Sequence, residues 1–171
     1  MAMDYMMPIA KDVGLVYTPM MCGSTSCPTT NLNGASQYMA YMGNRDVRRI
    51  LMGFALPEGV TDASTIQSCT LQLPAPMTSG TSVSSYTMDI SNALTDFDPM
   101  TVTANTAPKL GNTVASFTAK DNTAPPAVDI TDACRAAVNG YVDIMLDSRG
   151  SPVTFPSSSG GSNAMLMMTT M

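Results

Sequence analysis

Few side chains in this sequence could carry chemistry. The 171-residue chain has no histidine, four cysteines, and 13 acidic against 8 basic residues. Without histidine, Ser-His-Asp and Cys-His nucleophilic catalysis are excluded. The cysteines include no Cys-x-x-Cys pair, so no zinc site is assigned. Paired carboxylates are what a glycosidase would use, and the candidates are Asp96 with Asp98 and Asp143 with Asp147. On a strand, Asp143 and Asp147 would share a face about 13 Å apart at 3.3 Å per residue, beyond the ~9.5 Å that an inverting pair spans. They read better as a solvated strand face. Asp96 and Asp98 flank Phe97 ahead of Pro99 and read as turn formers. The sequence therefore predicts no enzyme and no catalytic residue. A structural calcium held by loop carboxylates and carbonyls would suit such a chain, but no Asp-x-Asp-x-Asp-Gly run marks one, and no metal ligands are assigned.

Sugar binding needs exposed aromatic rings to stack on pyranose faces and polar neighbours for the hydroxyls. Tryptophan is absent, which leaves Tyr38, Tyr41, Tyr86 and Tyr141. Tyr41 with Arg45, near a turn, forms the best ligand-binding pair, with Tyr38 beside it; the competing reading is that Tyr41 only caps a sheet face. Arg48 and Arg49 lead the most regular strand and are expected to pair with a carboxylate such as Asp129.

Charged residues make up 12% of the chain, about half the usual ~25%. The net charge is −5. Nucleic acid and anionic membrane both need clustered Lys and Arg, so neither is expected as a partner. No stretch is long enough to span a bilayer. The N-terminus, MAMDYMMPIAKD, lacks the basic and apolar regions of a signal peptide, so a secreted protein would have this as its mature form. An even cysteine count in a Ser/Thr/Gly-rich chain favours an oxidising, extracellular compartment. Four cysteines allow three pairings. Cys22 and Cys27 bracket a short loop that a local bridge would close, and Cys69–Cys134 would then be the long-range pair. Loop entropy assigns that pair roughly 4 kcal/mol and the small loop about 2 kcal/mol.

The elements that must position these residues are mostly strands. Period-2 alternation marks half-buried strands at Met3–Met7, Val13–Tyr17, Ala35–Gly43, Val47–Leu56, Thr65–Leu73, Val83–Ser91, Thr113–Thr118, Pro152–Phe155 and Asn163–Thr170, with a shorter one at Met100–Thr103. Val128–Gly150 packs a strand, a short helix and a second strand into one stretch. Thr131 or Asp132 would cap the helix, which spans 131–139, and Gly140 would end it. Beyond it Val142, Ile144 and Leu146 face one way, and Tyr141, Asp143, Met145 and Asp147 the other. SSSGG at 157–161 reads as a flexible tip. Many short strands at 8–15-residue spacing with a single helix predict an all-β antiparallel sandwich or jelly roll. One domain is expected over 1–171, with 1–17 an N-terminal arm or first strand and 18–34 a stapled loop.

Three segments in this order resemble the disaggregatase-related (DNRLRE-type) β-sandwich domain, which is also classed among carbohydrate-binding modules. RRILMGFALP at Arg48–Pro57 looks like that family's Arg-led strand ending in Phe-Asp-Leu. TVTANTAPKLG at Thr101–Gly111 looks like its Thr-Trp-Asn…Pro segment. VDITDA at Val128–Ala133 looks like its Asp-Val-Thr segment. Ala55 and Ala104 depart from it, standing where the family usually has Asp and Trp. The resemblance spans about residues 35–171 and implies a non-catalytic secreted module that binds extracellular polysaccharide. The competing expectation comes from the apolar arm and the charge-poor surface: a filament or surface-coat subunit, polymerised with copies of itself by strand addition of residues 1–17.

Overall fold

The computed structural model describes residues 2–16, 37–42, 47–60, 62–76, 85–103, 106–120, 124–138, 140–150, 153–161 and 164–171. Two antiparallel sheets face one another. The smaller contains β1 (Met3–Pro8), β11 (Met165–Thr170), β5 (Ile66–Gln72) and β8 (Val128–Asp129), in the order β1-β11-β5-β8. The larger runs β10 (Val153–Pro156), β3 (Gln37–Met42), β4 (Val47–Ala55), β9 (Tyr141–Gly150), β6 (Ser85–Ala93) and β7 (Leu110–Lys120); β2 (Lys11–Val16) also pairs with β4. The fold is the expected β-sandwich, with one short α-helix among the described residues.

The alternating strands meet where their apolar faces point. Ile50, Met52 and Phe54 of β4, Val142, Ile144 and Leu146 of β9, and Tyr86, Met88 and Ile90 of β6 form one wall of the core. Ile66, Cys69 and Leu71 of β5 with Leu166 and Met168 of β11 form the other. Methionine fills aliphatic positions here because its unbranched thioether adapts to irregular gaps. Pro8 ends β1, and the chain steps from one sheet to the other through Ile9 and Ala10, whose amides donate to Ala164 O (3.2 Å) and Gly53 O (2.9 Å). The N-terminal segment thus supplies a strand to each of its own chain's sheets, β1 against β11 and β2 against β4.

A disulfide joins Cys69 of β5 to Cys134 of α1 (Thr131–Arg135), with the Cα atoms 6.5 Å apart. Cys22 and Cys27 fall outside the described residues. The helix is shorter than its apolar periodicity suggests. It stops at Arg135, and Gly140, at φ 80°, serves a turn in which Val138 and Tyr141 pair. Its start also differs from expectation: the N-cap position is Ile130, with no side-chain cap. Thr131 instead donates its N–H and hydroxyl to Asp129 Oδ1 and accepts from Cys69 N at 3.0 Å. Asp129 is therefore engaged by Thr131, and Arg49 pairs with Asp147 instead, at 2.7 Å.

Two segments are more ordered, or ordered differently, than their composition implies. Met100–Thr103 makes a turn, not a strand: Thr101 and Val102 amides donate back to Asp98 O. Ser158–Gly160 is a 3₁₀ turn capped by Ser157. Ser158 donates its N–H (2.8 Å) and hydroxyl (2.5 Å) to Asp12, which is 3% exposed. Burial raises the Asp12 pKa, opposed by those two bonds. The Ser/Gly tip is pinned by a buried carboxylate.

Candidate functional site

The face of the large sheet that points away from the core divides into two zones. Cross-strand register lays out its rows. Lys11, Gly53 and Asp143 make one; Val13, Leu51, Met145, Ser91 and Thr113 make the next. Asp147, Asp89 and Ser116 form a third, which Leu15 and Arg49 continue on the other side, and Arg149, Thr87 and Thr118 a fourth.

The first zone is covered. After β6 the chain folds over the sheet, and Phe97 and Val102 pack with Val13, Leu15, Leu51 and Met145 in a second small core. An ionic cluster fastens this cover. Lys11 Nζ donates to Asp96 Oδ1 and, at 2.7 Å, to Phe97 O; it lies 3.8 Å from Asp143 Oδ1. The ammonium also sits over the Phe97 and Tyr141 rings, 4.3 and 4.2 Å from their centroids, an arrangement that attracts a cation to the ring faces. Burial pushes the Asp143 pKa up to about 7, with the Asp96 carboxylate raising it further and Lys11 opposing. Asp96 is held low: burial works against its charge, but hydrogen bonds with Lys11, Asp143 and the Phe97 amide outweigh it. Two adjacent carboxylates favour keeping one proton between them.

Asp96 does not pair with Asp98, nor Asp143 with Asp147. The fold brings Asp96 against Asp143, Asp98 turns to cap Met100 N at 2.9 Å, and Asp147 pairs with Arg49. An acid near neutrality beside a carboxylate is a general acid–base arrangement in principle, but the Asp143 side chain is 2% exposed and lies beneath the cover. Its chemistry is structural. Gly53 is required beside it, because a Cβ there would lie 2.7 Å from both Asp143 Oδ1 and Lys11 Cε. Gly53→Val is expected to cost about 1–3 kcal/mol through overpacking, read as a shift in the urea midpoint.

The second zone is open at Ser116, Thr118 and Arg149, which are exposed, whereas Asp147 is buried. Asp89 and Asp147 are directly opposed across β6 and β9, which like charges alone would disfavour. Each has its own guanidinium. Arg49 Nε donates to Asp147 Oδ1 at 2.7 Å, and Arg149 grips Asp89 through two bonds of 2.7 and 3.0 Å. Ser116 Oγ adds a 2.6 Å bond to Asp89, and the Thr87 and Thr118 hydroxyls lie 3.1 Å apart. Burial raises the Asp147 pKa, opposed by Arg49. The Arg149 side chain is 60% exposed. The result is an array of guanidinium forks and hydroxyls that can make paired hydrogen bonds.

The residues expected to bind ligand fall differently. Tyr38 is 3% exposed within the main core, where a Cβ on Gly14 would lie 2.7 Å from its ring; it is no surface platform. Tyr41 lies on β3 opposite Arg48. Arg45 is outside the described residues, as is Ala104; Ala55 is exposed at the end of β4. Lys11 and Arg149 were not singled out by sequence. Arg149 could have been, since Asp147 and Arg149 alternate with inward residues of β9, as Thr87 and Asp89 do in β6. Lys11 could not, because its partners lie 85 and 132 positions away in sequence.

The sequence model of carbohydrate-binding module family 96 matches residues 25–170. A protein of Arthroderma benhamiae described as an uncharacterized secreted protein is 30% identical over 165 residues, covering 93% of this chain and 82% of that protein.

Proposed function

This chain belongs to carbohydrate-binding module family 96, and from that premise we propose that it is a secreted, non-catalytic module that binds an extracellular polysaccharide along the open zone of its large sheet. The family match supports the reading, and the Arg49–Asp147 and Arg149–Asp89 array is the reason for choosing this face. Binding there would be polar, through guanidinium and hydroxyl groups, with no tryptophan platform. Tyr41 and Arg45 are a second group to test, and the likeness to disaggregatase-related domains is the finer form of the same family reading. The secreted relative and the Cys69–Cys134 bridge support an extracellular setting. Polymerisation by strand exchange would require β1 to leave all six of its partners in β11, and no observation favours that course.

The test is depletion of the protein from solution by a panel of insoluble and gel-embedded polysaccharides, followed by the Arg149→Ala variant on whichever is bound. Arg149 is mostly exposed, so the variant should fold normally and lose binding by at least roughly tenfold, the loss of one charge-assisted contact. Retention of none of the panel would contradict the reading.

A further inference from the structure

We infer that Lys11, Asp96 and Asp143 form a proton-dependent latch that holds residues 96–102 down on the large sheet. The cluster joins two parts of the chain that share no β-ladder. Lys11 and Asp143 belong to β2 and β9, and Asp96 opens the covering segment. It is enclosed: the side chains of Lys11, Asp96 and Asp143 are 11%, 27% and 2% exposed. Both Asp143 oxygens are buried, and neither receives a hydrogen bond from a described donor. A buried carboxylate without donors is costly when charged. As an acid, by contrast, Asp143 can donate its proton to Asp96.

Among the described residues, the charged or titratable groups facing Asp143 are Lys11 from β2, Asp96 from the covering segment and the Tyr141 phenol along β9; β4 offers only Gly53. With one proton on the acid pair, the cluster is neutral: one ammonium, one carboxylate, one acid. Loss of that proton leaves a buried net negative charge, and the segment held through Asp96 and Phe97 O is what can move away. Between the ordinary carboxylate value of 3.8 and about 7, the folded chain keeps a proton that the unfolded chain has released. Stability from this group therefore falls as pH rises through that window and levels off above it. Release uncovers Val13, Leu15, Leu51 and Met145, an apolar strip beside the Arg–Asp array.

Hydrogen exchange of the Phe97, Met100, Thr101 and Val102 amides, corrected for intrinsic rates, reads the latch. In the wild type, protection should fall at least roughly tenfold between pH 5.5 and 8.5, an opening linked to one proton. In Asp143→Asn, a near-isosteric change, it should stay within about twofold. The same fall in the variant, or none in the wild type, would overturn the proposal. A second measurement needs no variant: the Asp143 carboxyl carbon and the Phe97, Met100, Thr101 and Val102 amides should titrate with one midpoint near neutrality. Separate midpoints would overturn it.

Discussion

Replacing Cys69 and Cys134 together by alanine is expected to remove about 4 kcal/mol of stability. The bridge closes a loop with a sequence separation of 65, and the main effect of such a link is to restrict the unfolded chain. It also ties α1 to β5 at a point where Cys69 N already meets Thr131 Oγ1 and Arg135 Nε donates to Ile66 O at 2.9 Å. Those contacts stay when the sulfurs are lost, so the variant should keep its fold and lose stability. Urea denaturation of both proteins, with and without reductant, checks this. Reductant should bring the wild type down towards the double variant and leave Cys69 and Cys134 of no further consequence. A loss below about 1 kcal/mol would show that the bridge adds little to what α1 and β5 already hold.

Phe54→Ala is expected to cost about 3–5 kcal/mol. Phe54 lies on β4 opposite Val142 and is fully buried between the sheets, among the largest side chains in the core. Its removal leaves a void that neighbours fixed on three ladders cannot close, so a cavity cost adds to the lost transfer energy. Met100→Ala, at 73% exposure, is the control and should shift stability by no more than about 0.5 kcal/mol. Thermal unfolding of the two variants side by side separates burial from residue type. Equal shifts would contradict the placement of Phe54 in the core.

The fold was legible because period-2 alternation is a local property. The alternation of Ile50, Met52 and Phe54 with Leu51 and Gly53, and of Val142, Ile144 and Leu146 with Asp143 and Met145, needs no knowledge of partners. Both faces of β4 and β9 proved buried at their centres, one under the small sheet and one under residues 97–102. Alternation could not announce that second cover, which depends on the path taken after β6. The helix ends before its apolar spacing does, for a related reason. Ala137 and Val138 continue the helical spacing, but Val138 gains a backbone pair with Tyr141 instead. The composition of Ser157–Gly161 implies flexibility, yet Asp12, far away in sequence, accepts two hydrogen bonds from Ser158.

The site was less legible than the fold. Aromatic residues were the natural signal for sugar binding, but tyrosines serve cores as well as surfaces, and Tyr38 and Tyr86 are core residues here. The carboxylates were visible as pairs along the chain. Their actual partners are distant in sequence: Asp147 with Arg49 and Asp89 with Arg149 across strands, and Asp143 with Asp96 of the covering segment. Charge pairing across a sheet follows register, and register follows from the complete topology.

The most direct measurement is an amide-shift titration of the isotope-labelled protein with oligosaccharides cut from the polysaccharide it retains. The proposed function predicts shifts concentrated at Thr87, Asp89, Ser116, Thr118, Asp147 and Arg149. Shifts confined to the opposite, outward face of the small sheet, around Ser68, Thr70 and Thr169, would contradict it.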